Sequence, residues 1–180
     1  FALLMLNKTA WNGAILQSLS HGFMTALFFA LIGMIYGRTH TRDITKLGGL
    51  LKVMPFISVI YVIAGFASLG LPGFSGFVAE MNIFVGAFQH EEMFYRVATV
   101  ISVSAIVVTA VYILRVLGIM LMGPVKNPEF LDLPKVTWFE VTGIMLLLIP
   151  MIGMGVAPLW LSDMTMESVQ PFIQGVLNHL

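Results

Sequence analysis

The chain has 180 residues, of which 58% are hydrophobic and 10% charged, and its mean hydropathy is +0.95. Soluble domains carry roughly 25% charged residues, so this composition excludes a water-soluble globule and indicates a membrane protein. Equal numbers of basic and acidic residues remove a net basic field that would favour nucleic acid, and the lack of cysteine excludes disulfides and thiolate metal sites. The sequence has no glycine-rich nucleotide loop and no nucleophile elbow, which argues against a stand-alone redox or hydrolytic enzyme.

Four apolar stretches are long enough to cross a bilayer core of about 30 Å, which takes roughly 20 helical residues. They cover residues 12–37, 55–89, 94–122 and 136–157. The second stretch is too long for one upright helix, and its centre, Gly70-Leu71-Pro72-Gly73, lacks one backbone donor and adds flexibility. We therefore predict two half-helices joined by a break at residues 70–73, inside a transmembrane part that covers residues 1–160.

The last twenty residues follow a different pattern. Over residues 161–180, apolar positions recur at helical spacing and polar residues fall between them. This pattern predicts a C-terminal amphipathic helix that lies on the membrane or against a partner. The fold class predicted for the whole chain is an all-α, polytopic membrane bundle with four transmembrane helices, one of them broken, followed by this amphipathic helix.

Basic residues are concentrated in two of the connecting loops. Six lie after the first and third apolar stretches and two on the opposite side: Arg38, Arg42, Lys46, Lys52, Lys126 and Lys135 against Lys8 and Arg96. Because cytoplasmic loops of membrane proteins carry an excess of Lys and Arg, we expect the loop at 38–52 in the cytoplasm and the C-terminus on the outer side.

Three residues that can carry a charge, His21, Glu80 and Arg115, lie deep inside the apolar stretches, at least seven residues from either end. A charge near mid-bilayer costs about 2.5–3.5 kcal/mol on insertion scales, so such a residue must be paired, hydrated or functional. Glu80 lies seven residues after Gly73, and broken helices of transporters hold ions or water at depth. We interpret Glu80 as a carboxylate that takes up and releases a proton. The alternative is a structural acid paired with a basic residue on a helix outside this sequence.

His21 lies nine residues into its stretch, and Glu80 lies nine residues before the end of its own. We therefore expect both at one depth from the outer side, where histidine is suited to proton transfer near neutral pH. A packing role is the alternative for His21. For Arg115 we favour a structural role, in which the side chain reaches the interface or pairs with an acid. Three hydroxyl side chains are candidates for holding water on the proton path: Ser18, Ser20 and Thr25.

Several short motifs occur in one order along the chain. They are Ser20-His21-Gly22, the run from Tyr36 to Asp43 (YGRTHTRD), Gly48-Gly49-Leu50, and the run from Gly70 to Glu80. This ordered set resembles subunit M of the proton-pumping NADH–quinone oxidoreductases (bacterial respiratory complex I), the counterpart of mitochondrial chain 4. The resemblance is carried by residues 10–90, and further on by hydropathy and the region 112–115. The sister subunits L and N usually carry lysine at the position of Glu80, which favours M.

The resemblance implies an antiporter-like fold of about fourteen transmembrane helices with two inverted repeats, of which this sequence is the C-terminal third. A first residue, Phe1, that is not Met agrees with a piece of a longer protein. The resemblance also implies that Glu80 is the terminal proton-carrying acid and that His21 belongs to the central hydrophilic axis.

The same resemblance implies a proton-translocating, non-redox subunit of NADH:quinone oxidoreductase in the bacterial inner membrane, with no complete active site in this piece. It implies that this chain binds no cofactor or metal, and that NADH, flavin, iron–sulfur clusters and quinone are bound by partner subunits. The expected partners are other membrane subunits of the complex, above all antiporter-like neighbours, and the lipid bilayer.

Two rival functions remain open. The first is a subunit of a related cation/proton antiporter or of a membrane-bound hydrogenase, which also has a broken helix and buried titratable groups. Neighbouring genes would distinguish the oxidoreductase, the antiporter and the hydrogenase. A purely structural membrane scaffold moves no ions, and it predicts that Glu80→Gln is harmless apart from its effect on stability.

Overall fold

All regular secondary structure in residues 1–177, the part of the chain that the computed structural model describes, is helical; for residues 176 and 177 only the backbone is described. The helices are α1 (Lys8–Thr39), α2 (Leu50–Val53), α3 (Pro55–Ser68), α4 (Ser75–Phe88), α5 (Met93–Leu121), α6 (Trp138–Val156) and α7 (Leu159–Leu177). Short 3-10 helices lie at Ala2–Met5 and Pro128–Asp132. The predicted all-α membrane bundle is confirmed: α1, α5 and α6 are long and apolar enough to cross a membrane, and α3 and α4 are shorter apolar helices.

Helix α1 extends beyond the predicted stretch at both ends. It begins at Lys8 because the side chain of Asn7 accepts a hydrogen bond from the backbone N–H of Ala10 at 2.9 Å. It ends at Thr39 because His40 adopts a left-handed conformation with φ 51°, and its N–H donates to the carbonyl of Tyr36 at 2.8 Å. His40 therefore closes the helix in addition to lying in the following loop.

Helices α1 and α4 run antiparallel and approach each other through small residues. A Cβ atom built on Gly13 of α1 would lie 2.7 Å from the backbone nitrogen of Ile83, and one built on Gly86 of α4 would lie 2.5 Å from that of Ala10. Such close approach maximises van der Waals packing. This packing drives helix association inside a membrane, where the hydrophobic effect does not act between helices. It also holds α4, the helix that carries Glu80, in one register against α1.

The basic loops meet at one end of the bundle. The N–H of Gly49, whose φ is +66°, donates to the carbonyl of Met122 at 2.9 Å, and the ammonium of Lys126 donates to the carbonyl of Thr45 at 2.7 Å. The loop at 38–52 thus packs under the loop that follows α5. In this exposed part, hydrogen bonds from the side chain and the backbone of Thr45 lower the pKa of Asp43.

Helix α7 packs against the opposite end of α1. The side-chain amide of Asn12 donates to the hydroxyl of Ser162 at 2.7 Å, and the hydroxyl of Thr165 donates to the side-chain oxygen Oδ1 of Asn12. The rings of Trp11 and Phe172 lie 5.5 Å apart, and Ile173 is buried. The first part of the predicted amphipathic tail therefore lies on the first helix of its own chain, while its last predicted positions, 178–180, lie outside the described residues.

Candidate functional site

The helix break lies between Ser68 and Ser75. Backbone N–H groups of the linker turn back onto the last carbonyls of α3, so that Leu69 donates to Gly65 at 3.2 Å and Gly70 donates to Ala67 at 3.1 Å. Gly70 has φ +62° and Gly73 has φ +98°, both of which glycine adopts without steric cost. Pro72, between them, has no N–H to continue the ladder. The chain therefore changes direction within residues 69–74, around the predicted position.

Glu80 lies one turn beyond Gly76 on α4, and its side chain turns back to the break. The carboxyl group rests against the α-carbon of Gly70: a Cβ atom built there would lie 2.9 Å from Cδ of Glu80 and would touch both carboxylate oxygens. The side chain is half-buried, and no basic group of residues 1–175 lies within ion-pair distance of it. Glu80 is thus an acidic group held at a helix break without a described counter-charge.

A small polar cluster connects α1 with the start of α4. The hydroxyls of Ser20 and Ser75 share a buried hydrogen bond of 2.7 Å. One turn before Ser20, Oε1 of Gln17 is buried and makes no hydrogen bond to any described residue. Buried polar atoms without a protein partner are usually satisfied by water, so the cluster of Gln17, Ser20 and Ser75 has the chemistry of a water-holding site.

Gln17 was missed by the sequence analysis, although an amide inside an apolar stretch was a usable signal. The antiparallel packing sets Ser20 opposite Ser75 and Gly13 opposite Ile83. Gln17 therefore lies at about the level of Glu80.

His21 lies elsewhere. It is level with the start of α4, about five residues or roughly 7 Å along the axis from the level of Glu80, and its side chain is exposed. The expected equal depth is wrong because α1 begins at Lys8, four residues before Asn12, so the predicted helix ends did not mark one plane. The nearest polar partner of His21 is the hydroxyl of Thr25, 3.3 Å from Nε2.

The three hydroxyl residues predicted to hold water fall on two faces of α1. Ser20 faces α4, whereas Ser18 and Thr25 share the face of His21, since their spacing is that of one helical stripe. Ser18 is exposed, and its hydroxyl donates to the carbonyl of Ala14 at 2.9 Å. The structure therefore brings only Ser20 to the break, through its bond to Ser75.

Arg115 is exposed on α5 and forms no hydrogen bond or ion pair with residues 1–175. The acid pairing considered for it is therefore not present in the described part of the chain.

Arg38, which the sequence pattern places in a charged loop, is instead the centre of a hydrogen-bond network that contains an ion pair. Its guanidinium binds both carboxylate oxygens of Glu140, at 2.9 and 2.8 Å, and also donates to the carbonyls of Met34, Pro134 and Lys135. Glu140 in turn caps α6 by accepting hydrogen bonds from Thr137. This network joins the end of α1 to the start of α6.

Comparison with known proteins gives the family. Residues 1–107 match the model of the family described as NADH:quinone oxidoreductase/Mrp antiporter, transmembrane. The chain is 34% identical over 151 residues to NADH-quinone oxidoreductase subunit M of Rickettsia conorii, a match that covers 84% of this chain and 30% of that protein. It is 38% identical over 152 residues to NAD(P)H-quinone oxidoreductase chain 4 3 of Trichormus variabilis, covering 82% of this chain and 28% of that protein. The chain thus spans less than a third of the length of these relatives.

Solved structures share the fold. Superposition on a chain of respiratory complex I from Thermus thermophilus with bound NADH gives a TM-score of 0.84 at 21% identity, over 96% of this chain and 35% of that one. A chain of the Mrp complex from Dietzia sp. DQ12-45-1b gives 0.80 at 17% identity, over 98% and 41%. The resemblance drawn from the ordered motifs is confirmed, and since the family model covers more than half of the sequence, the chain belongs to the NADH:quinone oxidoreductase/Mrp antiporter transmembrane family.

Proposed function

We propose that the chain is part of a proton-translocating membrane subunit of an NADH–quinone oxidoreductase, in which Glu80 takes up and releases the proton. The observation that carries this proposal is the half-buried carboxyl group on the helix break, with no basic group beside it in residues 1–175. Removing a carboxylate from water is costly unless its charge is compensated, and with no cation beside Glu80 in residues 1–175 a bound proton supports that compensation.

Proton transfer to and from Glu80 requires polar atoms at hydrogen-bond distance, directly or through one water. The paired hydroxyls of Ser20 and Ser75 both donate and accept, so they relay a proton through hydrogen-bonded water, whereas the amide of Gln17 holds water without carrying the proton. His21 is too far along α1 for direct exchange with Glu80. We place it on a second stretch of the path, with Ser18 and Thr25, on the face of α1 that α4 leaves open.

The names of the relatives support the wider assignment. As a subunit of the M or chain 4 type, the chain acts with other membrane subunits, and the binding of NADH, flavin, iron–sulfur clusters and quinone belongs to partner subunits. This chain is then non-redox and holds no complete active site. The clustering of six basic residues at one end of the bundle supports a cytoplasmic loop at 38–52 and a C-terminus on the outer side of a bacterial inner membrane.

A cation/proton antiporter subunit is the second candidate, because the family includes Mrp antiporters and the Mrp chain shares the fold. The two functions differ in their driving force. An oxidoreductase subunit acidifies the lumen of inverted vesicles when NADH is supplied, whereas an antiporter subunit moves protons in response to a sodium gradient without NADH. Measuring both responses in the same vesicles separates them.

The test of Glu80 uses inverted membrane vesicles that contain the whole complex with this chain. We expect Glu80→Gln to lower both NADH oxidation and lumen acidification at least tenfold, while the amount of assembled complex stays unchanged. The matched control is Glu91→Gln, which removes an exposed carboxylate of the loop before α5 and is expected to behave as wild type. If Glu80→Gln acidifies the lumen at the wild-type rate, the carboxyl group is structural and the proposal is wrong.

A further inference from the structure

We propose that Gly70 is the positioning residue for Glu80: its missing side chain leaves the space in which the carboxyl group rests against the helix break. This inference rests on the proposed function, because it concerns where the proton-carrying group is held. It assigns to the glycine a second task beside the left-handed turn that the break requires.

The geometry of this contact is specific. The position that a Cβ of Gly70 would take is surrounded by the carboxyl group, with Oε2 and Cδ of Glu80 nearest and Oε1 at 3.2 Å. Gly76, one helical turn before Glu80, allows the approach, since a Cβ there would lie 3.1 Å from the carbonyl oxygen of Ala67 and 3.8 Å from the α-carbon of Gly70. Two glycines thus let the end of α3 meet the face of α4 that carries the acid.

Gly73 provides a comparison within the same break. It also needs a left-handed backbone, with φ +98° against +62° at Gly70, but a Cβ built on it meets no atom within 4 Å. An alanine at Gly73 is therefore strained only in the backbone. An alanine at Gly70 is strained in the backbone and also displaces the carboxyl group of Glu80.

Displacement of the carboxyl group matters because proton transfer works over hydrogen-bond distances, about 2.6–3.2 Å between heavy atoms. A misplacement of about 1 Å at a reacting group costs up to a hundredfold in rate. A side chain at Gly70 moves the carboxyl group by about that much, away from the helix break.

The first experiment compares Gly70→Ala with Gly73→Ala in the assembled complex, using NADH-driven lumen acidification per mole of complex. We expect Gly70→Ala to lose at least tenfold and Gly73→Ala to lose at least threefold less than Gly70→Ala, because only backbone strain acts at Gly73. Equal losses in the two variants would show that only backbone strain matters and would overturn the positioning role.

The second experiment tests whether the loss passes through Glu80. Glu80→Asp shortens the side chain by one methylene and withdraws the carboxyl group from Gly70, so Gly70→Ala has less to collide with. We expect the drop in thermal unfolding midpoint caused by Gly70→Ala to be smaller in the Glu80→Asp background, with the part due to backbone strain remaining, a measurement that does not depend on turnover. An unchanged drop would contradict the proposal.

The two proposals fail in different ways. If Glu80→Gln translocates protons normally, the proposed function is wrong whatever Gly70 does. If Glu80→Gln is inactive while Gly70→Ala and Gly73→Ala behave alike, only the positioning role is wrong.

Discussion

Two glutamates of this chain occupy opposite chemical situations. Glu140, at the start of α6, is bound on both oxygens by Arg38, whose side chain is only 8% exposed, and it also accepts hydrogen bonds from Thr137. Glu80, on α4, rests against the α-carbon of a glycine, and among residues 1–175 it has neither an ion pair nor a hydrogen bond. The first carboxylate is fully compensated, and the second has no compensating cation within residues 1–175.

Under the proposed function, the difference separates a structural acid from a proton-carrying one. A carboxylate held by a bidentate guanidinium is locked in one protonation state and one geometry, and breaking such a pair is costly. A carboxylate without such a partner costs stability where it stands, and this cost is typical of residues kept for function. The comparison predicts that changes at the Arg38–Glu140 pair act on stability and assembly, whereas changes at the break act on turnover.

The largest expected effect is that of Arg38→Met. This change leaves Glu140 without its cation and the carbonyls of Pro134 and Lys135 without their donor. We expect a loss of about 2–4 kcal/mol in unfolding free energy, less than for a fully buried pair because Glu140 is 28% exposed. The yield of assembled complex and its thermal midpoint fall, while NADH-driven acidification per assembled complex stays near wild type.

Arg42→Met is the matched control for Arg38→Met. Arg42 is exposed, and its guanidinium lies 4.7 Å from the ring of Tyr36, a cation–π contact worth about 0.5–1 kcal/mol at exposed sites. The contrast between Glu140 and Glu80 would be contradicted if both arginine variants assembled equally well. It would also be contradicted if Arg38→Met lowered turnover per complex as strongly as Glu80→Gln.

A smaller effect on stability, joined to an effect on turnover, is expected where α6 touches the break. A Cβ atom on Gly155 would overlap the backbone of Gly73 and Phe74. Gly155→Ala must push α6 and the break apart, at a cost of about 1–3 kcal/mol. Because the carboxyl group of Glu80 rests against Gly70 in the break, we expect acidification per complex to fall as well. This loss distinguishes Gly155→Ala from Arg38→Met.

Gly153→Ala is the control on the same helix, since a Cβ there meets no atom within 4 Å and alanine favours a helix by up to about 1 kcal/mol over glycine. The thermal unfolding midpoint and the rate of lumen acidification are measured for Gly155→Ala and Gly153→Ala, and we expect both to fall only in Gly155→Ala. Equal behaviour of the two variants would mean that α6 does not bear on the break.

Much of the fold could be predicted from the sequence because hydropathy over long stretches fixes which segments are transmembrane helices. The break could be predicted as well, since Gly70, Pro72 and Gly73 oppose a continuous helix locally. Helix ends could not be placed to the residue: the left-handed cap at His40 and the cap at Asn7 add residues to α1. The error at the start of α1 shifted the expected depth of His21 by roughly one turn.

In the candidate site, only residues that stand out individually in the sequence could be predicted. Glu80 stands out as a charge in an apolar stretch, but its contact with Gly70 depends on how α4 folds back beside α3. The pairing of Arg38 with Glu140 joins residues about a hundred positions apart, and no local pattern predicts it. The same holds for the bond between Ser20 and Ser75, which depends on the register of α1 against α4.

The smallest expected effect on stability is at Gln17, and its sign is informative. The buried Oε1 of Gln17 has no described hydrogen-bond donor, and replacing such a group with an apolar one of similar size is nearly neutral or stabilising. We expect Gln17→Leu to keep the thermal midpoint or to raise the unfolding free energy by up to about 1 kcal/mol. We also expect acidification per complex to fall by roughly threefold, because Leu holds no water at the level of Glu80.

Gln17→Asn, which keeps the amide, is the control and should retain most of the acidification rate. A lower thermal midpoint with normal turnover in Gln17→Leu would show that the amide is a structural partner of the kind found at Glu140. A stable variant with impaired turnover would show that Gln17, like Glu80, is a polar residue that lowers stability and serves proton movement.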